Sequence, residues 1–271
     1  VYVLELSSYQ IDITRSLSCD AAALINLSPD HLDRYDGYAG YVASKARLFD
    51  MQTGNTHSVF GKGDADTEQV YRDCLARRGA DLVHLADPAL VAGQADWPSL
   101  QGPHNLQNVA VAIALVESLG LTEAQWRPAM ATFKGLAHRM EVVAERNGVL
   151  FVNDSKATNA ASTAPALAAY PRVHWIVGGL PKSDNLDECI PNFGHVVKAY
   201  TIGEAGPLFH ELLSPHMPVE RSEMMGTAVC SAAAQAEPGD VIMLSPACAS
   251  FDQFKDFEAR GDAFRAIVEA L

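Results

Sequence analysis

Three short apolar runs in the second half of the chain each end in a polar string whose residue types can bind a small anion. Residues 149–152 lead into Asn153-Asp154-Ser155-Lys156-Ala157-Thr158-Asn159. Residues 174–177 lead into Gly178-Gly179-Leu180-Pro181-Lys182-Ser183-Asp184, and residues 241–244 into Ser245-Pro246-Ala247-Cys248-Ala249-Ser250-Phe251-Asp252. All three strings carry hydroxyls, and two carry a lysine. In an open parallel sheet, ligands bind outside the carboxyl ends of the strands. Together the strings predict a pocket for a small carboxylate-bearing ligand, with backbone N–H groups and Lys and Ser donors aimed inward. Singly, Asp154, Ser155, Ser183 and Ser250 read equally well as helix caps; the convergence of three strings favours a site. In the first half, Glu5 with Ser7 and Ser8 closes one apolar run, and Ser28-Pro29-Asp30-His31-Leu32-Asp33 closes another. Glu5 and His31 on one sheet edge can hold a divalent cation, although a lone histidine there reads most simply as a turn residue. Lys45, inside Ala43-Ser44-Lys45-Ala46-Arg47, reads on its own as a solvated helix charge. The sequence contains no Gly-x-x-x-x-Gly-Lys-Ser/Thr, no Gly-x-Gly-x-x-Gly, no His-Glu-x-x-His and no Gly-x-Ser-x-Gly.

The elements that must position these residues alternate between short apolar runs and amphipathic stretches, the pattern of an α/β fold with parallel strands. Strands are predicted at 1–6, 22–27, 82–85, 149–152, 174–177, 197–202, near Val219 and at 241–244. Asn147-Gly148, between 142–144 and 149–152, predicts a hairpin. Helices are predicted at 38–51, 64–78, 106–119, from Thr122, and at 160–169, 186–191, 208–213, 228–236 and 254–271. The second half reads as a doubly wound Rossmann-like domain, with the boundary near Gly135.

At 271 residues the chain is long enough for about two domains. Apolar residues make up 48% and charged residues 20%, which excludes a disordered chain or a disulfide-stapled miniprotein. No apolar run approaches the roughly 20 residues that cross a bilayer. Lys and Arg number 20 against 33 Asp and Glu, a net charge of −13, which argues against sequence-independent nucleic-acid binding. An anionic ligand must then be held by local cations or a metal. The five cysteines are widely spaced with no Cys-x-x-Cys, which fits a reducing compartment and no structural zinc. The opening run, read as a buried strand without an initiator Met, marks the chain as a fragment of a longer protein.

Several strings in order along almost the whole chain resemble one family, the ATP-dependent Mur ligases of peptidoglycan synthesis. They are Glu5-Leu6-Ser7-Ser8-Tyr9-Gln10, Asp30-His31-Leu32-Asp33-Arg34-Tyr35, Gly102-Pro103-His104-Asn105-Leu106-Gln107-Asn108 and His138-Arg139-Met140-Glu141. The Asn153–Asn159 string and Leu244-Ser245-Pro246-Ala247-Cys248-Ala249-Ser250-Phe251-Asp252-Gln253-Phe254 complete the set. The last is the most specific and resembles the D-glutamate-adding member; the Asp-Asn-Pro-Arg string of the diaminopimelate- or lysine-adding members is absent. The resemblance implies a truncated central ATP-binding α/β domain at 1–134 and a C-terminal Rossmann-like amino-acid-binding domain at 135–271. It implies an amide ligase that adds D-glutamate to UDP-N-acetylmuramoyl-L-alanine through an acyl phosphate, with ATP and two Mg²⁺ ions. Glu5, His31 and a carbamylated Lys45 would serve the metals, with His31, Lys45 and Lys156 as catalytic residues. Asn105, Asn108, Arg139, Asp154 and Lys156 would contact ATP. Thr158, Lys182, Ser250 and Phe257 would hold D-glutamate. The same resemblance implies a cytoplasmic monomer without membrane or nucleic-acid partners, inactive as this fragment alone. The rival readings are another Mur or folylpolyglutamate-type ligase, a non-catalytic amino-acid-binding module, and a nucleotide-dependent dehydrogenase, which no glycine fingerprint supports.

Overall fold

The computed structural model describes residues 1–29 and 34–271. Its contacts divide the chain into two units, Val1–Gln94 with His104–Ala131, and Ala95–Pro103 with Thr132–Leu271.

The first unit contains α1 (Ser8–Ile13), β1 (Ala21–Leu24), α2 (Gly37–Asp50), β2 (His57–Gly61), α3 (Ala65–Arg78), β3 (Val83–Ala86), α4 (Pro103–Ser118) and α5 (Glu123–Thr132). The strands form a parallel sheet in the order β1-β2-β3. α2 buries Tyr41, Ser44 and Leu48, spaced three and four residues apart, against Ile11, Leu24 and Phe60. The other sheet face meets Ala110 and Val111 of α4. A Cβ at Gly61 would stand 2.1 Å from the Ile25 carbonyl oxygen, so this sheet closes only around a glycine.

Two expectations change here. Residues 1–6 form no strand; Val1, Tyr2 and Val3 are exposed and enter no ladder among the described residues. An apolar run becomes a strand only when its backbone groups are paired. The strand at His57–Gly61 was not anticipated, because five residues opened by His and Ser give almost no periodic signal.

The second unit is a six-stranded sheet in the order β4-β5-β9-β6-β7-β8, parallel except for the β4–β5 pair. Its strands are β4 (Glu141–Arg146), β5 (Val149–Asn153), β6 (Val173–Gly178), β7 (Val196–Ile202), β8 (Val219–Glu223) and β9 (Val241–Leu244). The hairpin turn has φ of +52° at Asn147 and +76° at Gly148, the left-handed pair that a two-residue turn of the predicted type requires. α6 (Ala160–Leu167), a 3-10 helix (Asp187–His195) and α7 (Gly206–Leu213) cover the face bearing Trp175 and Val177. The 3-10 form stands where an α-helix was expected at 186–191; Pro191 inside it lacks an N–H to donate. α8 (Met225–Gln235) and α9 (Phe257–Ala270) cover the opposite face, which bears Ile176, Tyr200 and Ile242. β9 sits between β5 and β6, yet the helix that follows it lies on the other face from the helices that follow them. The switch point of the sheet is therefore at the carboxyl ends of β5, β9 and β6, where the three polar strings begin.

Candidate active site

The three loops are fastened to one another at the carboxyl edge of the second sheet. Leu180 and Ala249 exchange backbone hydrogen bonds of 2.9 and 3.0 Å, joining the β6 loop to the β9 loop. The Asp154 N–H donates to the Leu244 carbonyl at 2.8 Å, joining the β5 loop to β9. Gly179 makes the close approach possible: its φ is +135°, and a Cβ there would lie 2.4 Å from the Ala249 carbonyl oxygen.

Within this frame the Lys182 ammonium donates to the Thr158 hydroxyl at 3.3 Å. Lys182 is exposed and Thr158 half-buried, so the pair faces solvent. Ser250, buried at 2% exposure, follows directly on the Leu180–Ala249 pairing. Helix α9 begins at Phe257 rather than at 254, because the Asp256 carboxylate caps it, accepting the Ala259 N–H at 2.7 Å. That places Phe257 in the first turn, where its carbonyl accepts the Ser155 hydroxyl at 2.8 Å and its ring lies 3.9 Å from the Lys156 ammonium.

Asp154 is almost fully buried at 6% exposure. It accepts the Ser245 hydroxyl at 2.7 Å and the Met140 N–H at 3.1 Å. Burial nonetheless pushes its carboxyl up to about 7, against the opposing pull of Ser245, Met140 and the Arg139 charge. Neighbouring Asn153, fully buried, turns its amide nitrogen toward His138 Nδ1, the Glu141 carboxylate and the Gly261 carbonyl at 3.0 to 3.2 Å.

Arg260 was not singled out from the sequence. It is 1% exposed, and its guanidinium donates to the Ser155 hydroxyl at 3.0 Å and to the carbonyls of Ser155, Cys248 and Ala249 at 2.9, 3.0 and 3.1 Å. A signal existed: Arg260, Phe264 and Val268 repeat every fourth residue on the buried face of α9, so a charge occupies an apolar position.

In the first unit, Asn105 and Asn108 share one face of α4, with the Asn108 amide donating to Asn105 at 3.4 Å. Between them Gln107 bonds to Asn26 and to the carbonyls of Ile25 and Lys62, which tie α4 to the carboxyl ends of β1 and β2. The half-buried Lys45 holds its ammonium 5.4 Å from the Tyr41 ring centroid, and Glu5 is exposed. His31 lies outside the described residues. Among the described residues, no three His, Cys, Asp or Glu side chains stand together as a metal site. Glu5 offers the hard oxygen that Mg²⁺ takes, and Lys45 offers one only after carbamylation. All five cysteines are free, and no described helix is long and apolar enough to cross a membrane.

Comparison with known proteins adds sequence relatives to this geometry. Residues 1–87 match the Mur ligase middle domain, and residues 138–248 match the glutamate ligase domain of Mur ligases. The UDP-N-acetylmuramoylalanine–D-glutamate ligase of Novosphingobium aromaticivorans is 69% identical over 271 residues, covering all of this chain and 61% of that protein. The ligase of the same name from Sphingopyxis alaskensis is 53% identical, covering all of this chain and 63% of its own length. The chain thus spans less than two thirds of the length of these relatives. Among solved structures, the UDP-N-acetylmuramate–alanine ligase of Thermotoga maritima superposes with a TM-score of 0.64 at 13% identity, over 97% of this chain and 62% of that one. A folylpolyglutamate/dihydrofolate synthase from Yersinia pestis, complexed with AMPPNP and Mn ion, gives 0.57 at 20% identity, over 93% and 62%. Two domain matches in order and identity along its full length establish that this chain belongs to the Mur ligase family.

Proposed function

We propose that this chain forms the ATP-binding and amino-acid-binding parts of a ligase that joins D-glutamate to UDP-N-acetylmuramoyl-L-alanine. The observation that carries the reading is the tying together of the loops that bear Thr158, Lys182 and Ser250, with Phe257 at the start of α9 bonded to the first of them, in a chain 69% identical to a ligase named for D-glutamate. Residues 135–271 serve as the amino-acid-binding domain and residues 1–134 as part of the ATP-binding domain. Thr158, Lys182, Ser250 and Phe257 hold D-glutamate, fixing its amine toward the reacting carbonyl. Asn105, Asn108, Arg139, Asp154 and Lys156 contact ATP. The protein works as a cytoplasmic monomer on these small substrates.

In the reaction, a carboxylate oxygen of the acceptor takes the γ-phosphoryl group of ATP, giving an acyl phosphate and ADP. The D-glutamate amine attacks the acyl carbon, the tetrahedral adduct loses a proton from nitrogen, and the C–O bond to phosphate breaks to leave an amide. No enzyme nucleophile takes part; catalysis is positioning and charge neutralisation. Bound Mg²⁺ at Glu5, His31 and a carbamylated Lys45 would supply neutralising charge for the phosphates. Lys156, half-buried over the Phe257 ring, supplies a cation from this chain. The test is amino-acid-dependent ADP release by this chain joined to the remainder of a relative's sequence, with ATP, Mg²⁺ and the UDP-sugar substrate. D-Glutamate must be preferred over L-glutamate, L-lysine, diaminopimelate and D-alanine; equal use of any of these removes the assignment.

A further inference from the structure

The Arg260 guanidinium is a buried charge bonded to no carboxylate; Asp252 acts on it only through space. Its acceptors are one hydroxyl and three carbonyls, and no described carboxylate comes within 4.0 Å of it. An unpaired buried charge is costly, and a neutral side chain could cap the same carbonyls at less expense. Burial pushes the group down to about 10, still well above neutral pH, so it stays charged. Its contacts join the β5 loop, through Ser155, to the β9 loop, through Cys248 and Ala249. Gly179 of the β6 loop abuts it as well, since a Cβ there would lie 3.0 Å from Arg260 Nη1. The Ser155 hydroxyl accepts from Arg260 and donates to the Phe257 carbonyl, closing the ring back onto α9.

We propose that Arg260 is a positioning residue for the amino-acid pocket: it locks the three loops at fixed spacing from below, and its buried charge, bonded to no carboxylate, makes their floor favourable for a ligand bearing carboxylates. This rests on the reading that these loops hold the incoming amino acid. A bound carboxylate adds to the longer-range field that Asp252 already sets on the guanidinium, so binding lowers the cost of burying it further. Lysine at 260 keeps the charge and three donors for the same carbonyls; glutamine keeps donors and loses the charge.

The test titrates the 271-residue chain with D-glutamate by NMR, as wild type and as Arg260→Lys, Arg260→Gln and Lys182→Ala. Amide hydrogen exchange of Leu180 and Ala249 is followed in each. Arg260→Gln should weaken D-glutamate binding at least tenfold and speed exchange at both amides about tenfold. Arg260→Lys should stay within about threefold of wild type in binding. β6 amides should remain protected throughout, which shows that the unit is folded. Unchanged binding and exchange in a folded Arg260→Gln overturn the proposal, and equal losses in the Lys and Gln variants overturn the charge component. If Arg260→Gln fails to fold, Arg260→Lys decides: binding weakened more than tenfold in that folded variant overturns the charge component, and binding kept supports it. Failure of the pocket reading has its own signature, no D-glutamate binding by wild type or no effect of Lys182→Ala. The exchange measurement still decides whether Arg260 locks the loops in that case.

Discussion

Replacing Asp154 by Asn should stabilise the second unit at pH 8. Asp154 is 6% exposed, and its carboxyl titrates near 7 in the folded chain against an ordinary value of 3.8. Desolvation is the dominant cause, so the folded state prefers the protonated form. The sign follows from linkage: below pH 3.8 the group is neutral in both folded and unfolded chains and costs nothing. As pH rises from about 4 to 7 the unfolded chain releases its proton first, and stability falls. At about 1.36 kcal/mol for each tenfold change in proton affinity, the loss reaches ~4 kcal/mol by pH 8, as an upper bound. Asparagine can keep both contacts, with its oxygen accepting the Met140 N–H and its amide donating to Ser245 Oγ. The Ser245 hydroxyl can then turn to Thr163, whose oxygen lies 3.2 Å away. Urea unfolding followed at the amides of β6 and β9 from pH 4 to 8 measures the effect. The expected result is a variant about 2–4 kcal/mol more stable than wild type at pH 8, with a flatter pH dependence. Equal slopes in the two proteins, or a less stable Asn variant at pH 8, would refute the reasoning.

Other perturbations follow from the same contacts. Gly179→Ala should cost the second unit at least ~2 kcal/mol in urea unfolding, because a left-handed φ and a 2.4 Å clash with the Ala249 carbonyl cannot both be relieved. Ser155→Ala removes a hydroxyl that accepts from Arg260 and donates to Phe257, and should cost about 1–3 kcal/mol in the same assay. Lys182→Ala should weaken D-glutamate binding roughly 10-fold or more, the worth of a charge-assisted hydrogen bond, in the NMR titration. Lys45→Ala should abolish most turnover in the ligase assay, with partial return on adding a short carboxylate, because an ammonium beside Mg²⁺ repels it and a carbamate does not.

Much of the second unit was legible because its signals are local and strong. Asn147-Gly148 fixes a hairpin turn, and residues 241–244 read as a strand because four apolar residues end at Ser-Pro. The three loops were found because chemistry-bearing residues follow strand ends. Tertiary effects were less visible. Arg260 looks like a surface charge until the loops close around it, and the high proton affinity of Asp154 depends on burial that no short string encodes. The N-terminus of α9 was misplaced by three residues because Phe254 and Lys255 are compatible with helix, and only the Asp256 cap stops it. In the first unit, the Glu5 and Lys45 assignments rest on family resemblance, since no contact among the described residues reveals either role.

The most direct test of the central claim is a titration of the ¹⁵N-labelled chain with D-glutamate and, separately, L-glutamate. The proposed D-glutamate pocket predicts saturable shifts of the Thr158, Lys182, Ser250 and Phe257 amides with D-glutamate, and much weaker ones with L-glutamate. Saturable shifts confined to another part of the chain, or none at these four positions, would contradict it.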